Sequence, residues 1–152
     1  MKILIATDGS EYSRAAIEEY CRMFAEAVNN EVKIIAVYEE VFPLAGEPFA
    51  LSANYYQELE DDAKAQAEEF TTEAKEIIQR NFPELSLTKE VKKGSPEREI
   101  VETAQEWQAD LVVVGSHGRG FWGRMLVGSV SDAVMHHAPC SVLIIRRKDL
   151  NL

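Results

Sequence analysis

Apolar and polar positions follow two alternating rhythms along this chain. Lys2 to Ala6, Val32 to Val37, Leu111 to Val114 and Val142 to Ile145 are short, nearly unbroken apolar runs rich in Ile and Val. Runs of that length and composition predict strands buried on both faces, as in a parallel sheet. Between them the apolar residues recur every three or four positions: Ile17, Tyr20, Cys21, Phe24, Ala27 and Val28; then Leu59, Ala63, Ala67, Phe70, Ala74, Ile77 and Ile78 within Tyr55 to Arg80; then Ile100, Ala104 and Trp107. That spacing predicts amphipathic helices. Ser10 is placed to cap the first, Ser95-Pro96 starts the third with Pro at its first position, and a short fourth helix from Ser129 to His137 is stopped by Pro139. Leu85 to Val91 reads as a further strand, at a sheet edge because Thr88, Lys89 and Glu90 are polar. Strands alternating with helices predict a doubly wound α/β fold, with a parallel sheet and right-handed crossovers. The connection carrying Pro43, Gly46 and Pro48 is too long for a plain connector and is well placed to cover a ligand.

The most informative stretch follows the fourth of these strands: Gly115-Ser116-His117-Gly118, nine residues, then Gly128-Ser129. Gly115, Gly118 and Gly128 allow positive φ and let the main chain approach an anion with no Cβ between them. Successive N–H groups can form a nest, and the helix opening at Ser129 adds the partial positive charge of its N-terminus. These features predict a phosphate-holding loop. No Gly-x-x-x-x-Gly-Lys-[Ser/Thr] segment occurs, which argues against a P-loop NTPase. Gly118 to Gly123 also satisfies Gly-x-Gly-x-x-Gly, but a dinucleotide fingerprint opens a helix and is followed about 20 residues later by an acidic ribose anchor. The predicted helix begins only at Ser129, and no Asp or Glu lies between Asp132 and Asp149.

The Gly115 to Ser129 signature, with Ala6-Thr7-Asp8-Gly9-Ser10, Ala36-Val37-Tyr38 and Ala138-Pro139-Cys140-Ser141-Val142-Leu143-Ile144-Ile145, resembles the universal stress protein family in its ATP-binding branch. Ser141 stands where that family usually has a second Pro. The resemblance implies a five-stranded parallel sheet of Rossmann-like type, strand order 3-2-1-4-5, with the ligand at the switch point between strands 1 and 4. It implies ATP as the ligand, with Mg²⁺ or Mn²⁺ bound through its phosphates. The implied nucleotide-binding residues are Ala6, Thr7, Asp8, Val37, Gly115, Ser116, His117, Gly118, Arg119, Val127, Gly128, Ser129 and Val130. Val37 would face the adenine, and Gly128, Ser129 and Val130 the phosphates, mostly through main chain.

Several of these positions have a second reading. Asp8 is either a turn former in Asp-Gly or a contact to the adenosine part of the nucleotide. Ser129 with Asp132 forms a capping box, which does not exclude main-chain contact to phosphate. Arg119 and Arg124 either neutralise a triphosphate or are simply exposed; Phe121 and Trp122 either close over the ligand or pack against a partner subunit.

Composition narrows the remaining classes. At 152 residues and 46% hydrophobic content, residues 1–152 are expected to form one domain. No apolar stretch reaches the ~20 residues of a membrane helix, and Met1 to Ile5 reads into a strand instead of a signal peptide, so a cytoplasmic protein is expected. The formal charge of −10 excludes a general nucleic-acid binder. Residues 1–110 carry 24 acidic and 11 basic side chains, whereas residues 111–152 carry 2 and 5, so the glycine-loop segment is the one that attracts anions. Cys21 and Cys140 read as reduced core thiols, and the adjacent His136 and His137 form no metal site.

Two functions fit. The leading one, implied by the resemblance, is an ATP-binding stress-response and signalling module whose nucleotide occupancy regulates its state or an unidentified protein partner. The alternative is a slow Mg-dependent ATPase or phosphotransferase, for which only Asp8 and His117 are candidate groups, neither with a recognisable catalytic partner. The last strand, Val142 to Ile145, would be an aggregation-prone exposed edge, and pairing it across a two-fold axis gives the homodimer usual in the family.

Overall fold

The structure is a computed structural model that describes residues 1–24, 29–40, 53–118 and 127–146. In chain order the elements are β1 (Lys2–Ala6), α1 (Glu11–Met23), β2 (Glu31–Tyr38), α2 (Ala53–Asn81), β3 (Ser86–Lys93), α3 (Pro96–Glu106), β4 (Leu111–Gly115), α4 (Ser129–His137) and β5 (Ser141–Ile145). All four strand pairings are parallel and the order is β3-β2-β1-β4-β5. The α/β class, the strand order and the edge position of β3 therefore agree with the sequence. Ala27, Val28 and the Pro43 to Pro48 connection lie outside the described residues.

Alternate side chains of the sheet supply two separate core layers. On one face Ile3, Ile5, Val32, Ile34, Val113 and Ile145 pack with Ile17, Tyr20 and Cys21 of α1 and Ala74 and Ile78 of α2. On the other, Leu4, Ile35, Val112 and Val114 pack with Ile100 and Ala104 of α3 and Val134 of α4. Fully burying such an Ile or Leu contributes roughly 1.5–3 kcal/mol. This two-sided burial is why the strands read as continuous apolar runs.

Helix ends follow the local chemistry. Ser10 is the N-cap of α1, its Oγ accepting from Ser13 N at 3.2 Å. Ser95 stands at the N-cap position of α3 without a side-chain cap bond, and Pro96 opens the helix. Ala138, which precedes Pro139, is held extended and ends α4. The capping box expected at Ser129 is not formed: the N-cap is Gly128, and Ser129 is already inside the helix. Gly128 N donates to Ser116 O at 2.7 Å, which fixes the cap one residue earlier. The Asp132 carboxylate lies instead 3.7 Å from His136 Nε2.

Candidate functional site

β1 and β4 are neighbours, and their connections leave toward opposite faces, α1 to one and α4 to the other. A crevice opens at such a switch point because the two chains depart to opposite faces of the sheet. Here it is a cavity of about 400 Å³, within the usual range for small-ligand sites. Its walls come from the ends of β1, β2 and β4 and from the first turns of α1, α3 and α4.

The cavity has three chemically different sides. Ile35 and Val37 of β2 and Pro96 and Ile100 of α3 form an apolar slot. Thr7, Asp8 and Ser13 form a polar corner where β1 turns into α1. Gly115, His117 and Gly118 after β4 and Gly128, Ser129 and Val130 at the start of α4 form the third side. Three helix N-termini thus reach this cavity, but they differ. The α1 end is occupied by its Ser10 side-chain cap and α3 opens on Pro96, whereas Gly128 offers no side-chain cap to α4; the first turns of α1 and α4 carry one acid each, Glu11 and Asp132. The first-turn N–H groups of α4 have no intrahelical acceptor, so the partial positive charge of that end faces the cavity unneutralised by a cap.

Short hydrogen bonds hold the third side together. Ser131 Oγ donates to Gly115 O at 2.6 Å, tying the first turn of α4 to the end of β4. Ser116 N donates to Ile145 O at 2.8 Å, and Ser116 Oγ lies 3.1 Å from His117 Nδ1. The His117 ring packs against Tyr12 of α1, with centroids 5.2 Å apart. A Cβ on Gly128 would lie 3.2 Å from His117 Cα and 3.7 Å from Gly118 N, so both ends of the nine-residue spacer sit side by side.

The reason for the glycines differs from the sequence expectation. Positive φ occurs at Gly9 and Gly94, and at none of Gly115, Gly118 and Gly128. What these three require is room. A Cβ at Gly115 would come within 2.7 Å of Tyr12 C and O, and one at Gly118 within 2.8 Å of Asp8 Oδ2.

Of the residues singled out by sequence, Ala6, Thr7, Asp8, Val37, Gly115, His117, Gly118, Gly128, Ser129 and Val130 line one cavity. Ser116 and Val127 are not wall residues of this cavity, Ser116 being buried at 2% exposure. Arg119 lies outside the described residues, as do Arg124, Phe121 and Trp122. Sequence reasoning missed Ser13, Ile35, Pro96, Ile100, Val114 and Ser131 as wall residues. Ser13 and Ser131 carried a signal, since small polar residues interrupt otherwise apolar helix faces there; the others read as ordinary core. Among the described residues no group of three His, Cys, Asp or Glu side chains could hold a metal ion, and no helix is long and apolar enough to cross a membrane.

A doubly wound parallel sheet with a cavity at its switch point defines an α/β protein of Rossmann-like type. The chain belongs to the universal stress protein family, whose pattern it matches over residues 1–146. It is similar to a universal stress protein of Synechocystis sp., at 30% identity over 95% of this chain and 97% of the relative. Among solved structures it is similar to the universal stress protein UspA from Lactobacillus plantarum, with a TM-score of 0.80, 26% identity and coverage of 96% and 97% of the two chains. A universal stress protein solved in complex with cAMP matches with a TM-score of 0.67 and 25% identity, over 95% of this chain and 96% of its own.

Proposed function

We propose that the protein is a single-domain ATP-binding module of the cytoplasm, of the ATP-binding branch of its family, whose nucleotide occupancy regulates its state or its partners in a stress response. The observation that carries this reading is the cavity at the β1–β4 switch point, which has an apolar slot at one side and the uncapped N-terminus of α4 at another. A purine has a flat apolar body that suits Ile35, Val37, Pro96 and Ile100. A phosphate chain suits open N–H groups at Ser129 and Val130 beside glycines that let it come close. The similar structure solved with cAMP supports an adenine nucleotide in this class of pocket. Mg²⁺ or Mn²⁺ would be held through the phosphate oxygens of the nucleotide. A homodimer paired through β5 completes the reading, β5 being an edge strand of the sheet.

Purification without added nucleotide, followed by chromatography and mass spectrometry of what acid releases, tests it. ATP or ADP at near one equivalent is the expected result. A protein that releases no nucleotide and shows no thermal shift with Mg-ATP would overturn the proposal.

A further inference from the structure

The apolar slot owes one wall to the start of α3, where Pro96 and Ile100 line it together with Ile35 and Val37 of β2. The usual helix-start anchors are missing there. Ser95 makes no side-chain cap bond, its hydroxyl turning instead to the Glu97 carboxylate, and Pro96 has no N–H to give. Other contacts hold the turn. Gly94 N donates to Tyr38 O at 3.0 Å, which ties it to the end of β2, and Glu99, at 8% exposure, sends its carboxylate back over it. A Cβ on Gly94, whose φ is +147°, would lie 2.7 Å from Glu99 Oε1, so the carboxylate rests on the bare face of the glycine. Arg98 Nη2 donates to the same oxygen at 2.8 Å, while Glu99 Oε2 lies 3.9 Å from Lys92 Nζ of β3. A buried carboxylate persists only where charges and donors compensate it, and here they come from β3 and α3 at once.

We propose that Glu99 is the positioning residue of the base-binding slot: its buried carboxylate holds the turn at residues 94–96 between β3 and α3, and so sets the width of the slot and the affinity for the base of the nucleotide. The inference rests on the nucleotide reading above and adds a residue that touches no ligand. Glu99 is not in the cavity wall, yet Pro96, one turn before it, and Ile100, the next residue, are. A helix moves as a unit, so a shift of its first turn carries Pro96 and Ile100 together. The phosphate side is held by separate bonds, Gly128 N to Ser116 O and Ser131 Oγ to Gly115 O, and a loosened turn at residues 94–96 leaves it in place.

Titration calorimetry with Mg-ATP and amide hydrogen exchange by NMR, both on the whole protein stripped of bound nucleotide, compare the wild type with Glu99→Gln and Glu99→Ala. Gln keeps the shape but brings an N–H₂ among the Arg98 and Lys92 cations, and Ala removes the acceptor altogether. ATP affinity is expected to fall about threefold in Glu99→Gln and about tenfold in Glu99→Ala. Exchange at the Gly94 N–H should quicken in both, while the Asp132 N–H, bonded to Gly128 O at the phosphate side, keeps its rate. Ile17→Val, in the core layer on the other face of the sheet, is the control: it should lower the melting temperature and leave ATP affinity as in the wild type. Wild-type ATP affinity in both Glu99 variants would overturn the proposal while leaving the nucleotide reading intact. Weakened ATP binding with unchanged Gly94 exchange, or an equal weakening in Ile17→Val, would overturn it as well, since the loss would then not run through the turn. A wild-type protein that binds no ATP would overturn both readings.

Discussion

Gly118 and Asp8 come from different strands' loops, yet a Cβ on Gly118 would lie 2.8 Å from the Oδ2 of Asp8. The two loops therefore close on each other across the β1–β4 crevice, and the glycine is small because the carboxylate needs the space. Gly128 is tighter in kind, since its nearest neighbours are main-chain atoms of Ser116, His117 and Gly118, which cannot rotate away.

Replacing these glycines should separate binding from folding. Gly128→Val is expected to abolish ATP binding by forcing the α4 N-terminus away from the loop. Gly118→Val should displace Asp8 and weaken binding strongly. A ligand at 100 times its dissociation constant adds ~2.7 kcal/mol of stability, which thermal melts with and without Mg-ATP resolve easily. Wild-type ATP affinity in both variants would defeat the assignment of phosphate to this side.

Turnover should be absent or far below the typical ~1 to 10³ per second of enzymes. Donors at Ser129 and Val130 would hold the ground-state triphosphate as well as any transition state, and uniform binding gives affinity without rate. His117 and Asp8 are the titratable groups of the described cavity wall. Phosphate release at saturating Mg-ATP, compared with Asp8→Asn and His117→Ala, decides between the two functions. Brisk hydrolysis lost in either variant would favour the ATPase.

The β5 edge predicts dimerisation. Leu143 packs on one core layer and Val142 and Ile144 on the other, all only partly buried, so a second copy would complete their burial. Light scattering should give twice the chain mass, and the melting temperature should rise with protein concentration. The Leu143→Lys, Ile144→Lys double variant should be monomeric, with a lower melting point that no longer depends on concentration. A wild-type protein that is monomeric at high concentration contradicts this.

Alkaline pH should destabilise the fold through α1. Burial raises the Cys21 thiol from 9.0 to about 11 and the Tyr20 phenol from 10.0 to about 12. Both groups are acids that the unfolded chain ionises first, so folding keeps protons that the unfolded state releases. Their stabilising effect is complete below pH 9 and is lost as pH rises through 9 to 12. Urea midpoints measured from pH 8 to pH 11 should fall, and Cys21→Ala should reduce the fall across the lower part of that range. A flat profile would show that neither group stays protonated in the folded state.

Much of the fold was legible in the chain because each element carries its own signal. Val112, Val113 and Val114 announce a strand buried on both faces, and Thr88, Lys89 and Glu90 announce an edge. Ser10 and Pro96 mark helix starts by local hydrogen bonding and by a fixed φ, which need no distant partner. At Ser129 the local signal failed. Ser-x-x-Asp is a sound capping pattern, but the bond from Gly128 N to Ser116 O, made across the loop, moved the cap to Gly128.

The site divides in the same way. The Gly115 to Ser129 spacing by itself determined where main chain could approach a ligand, because the absence of side chains is written in the residue types. What only the tertiary structure decided is what those glycines face and which other residues join them. Gly115 is small because α1 presses its Tyr12 main chain against it, and Ile100 is a wall residue because α3 crosses the end of β2. Close approach is a relation between segments, and a single segment's sequence encodes only its own half of it.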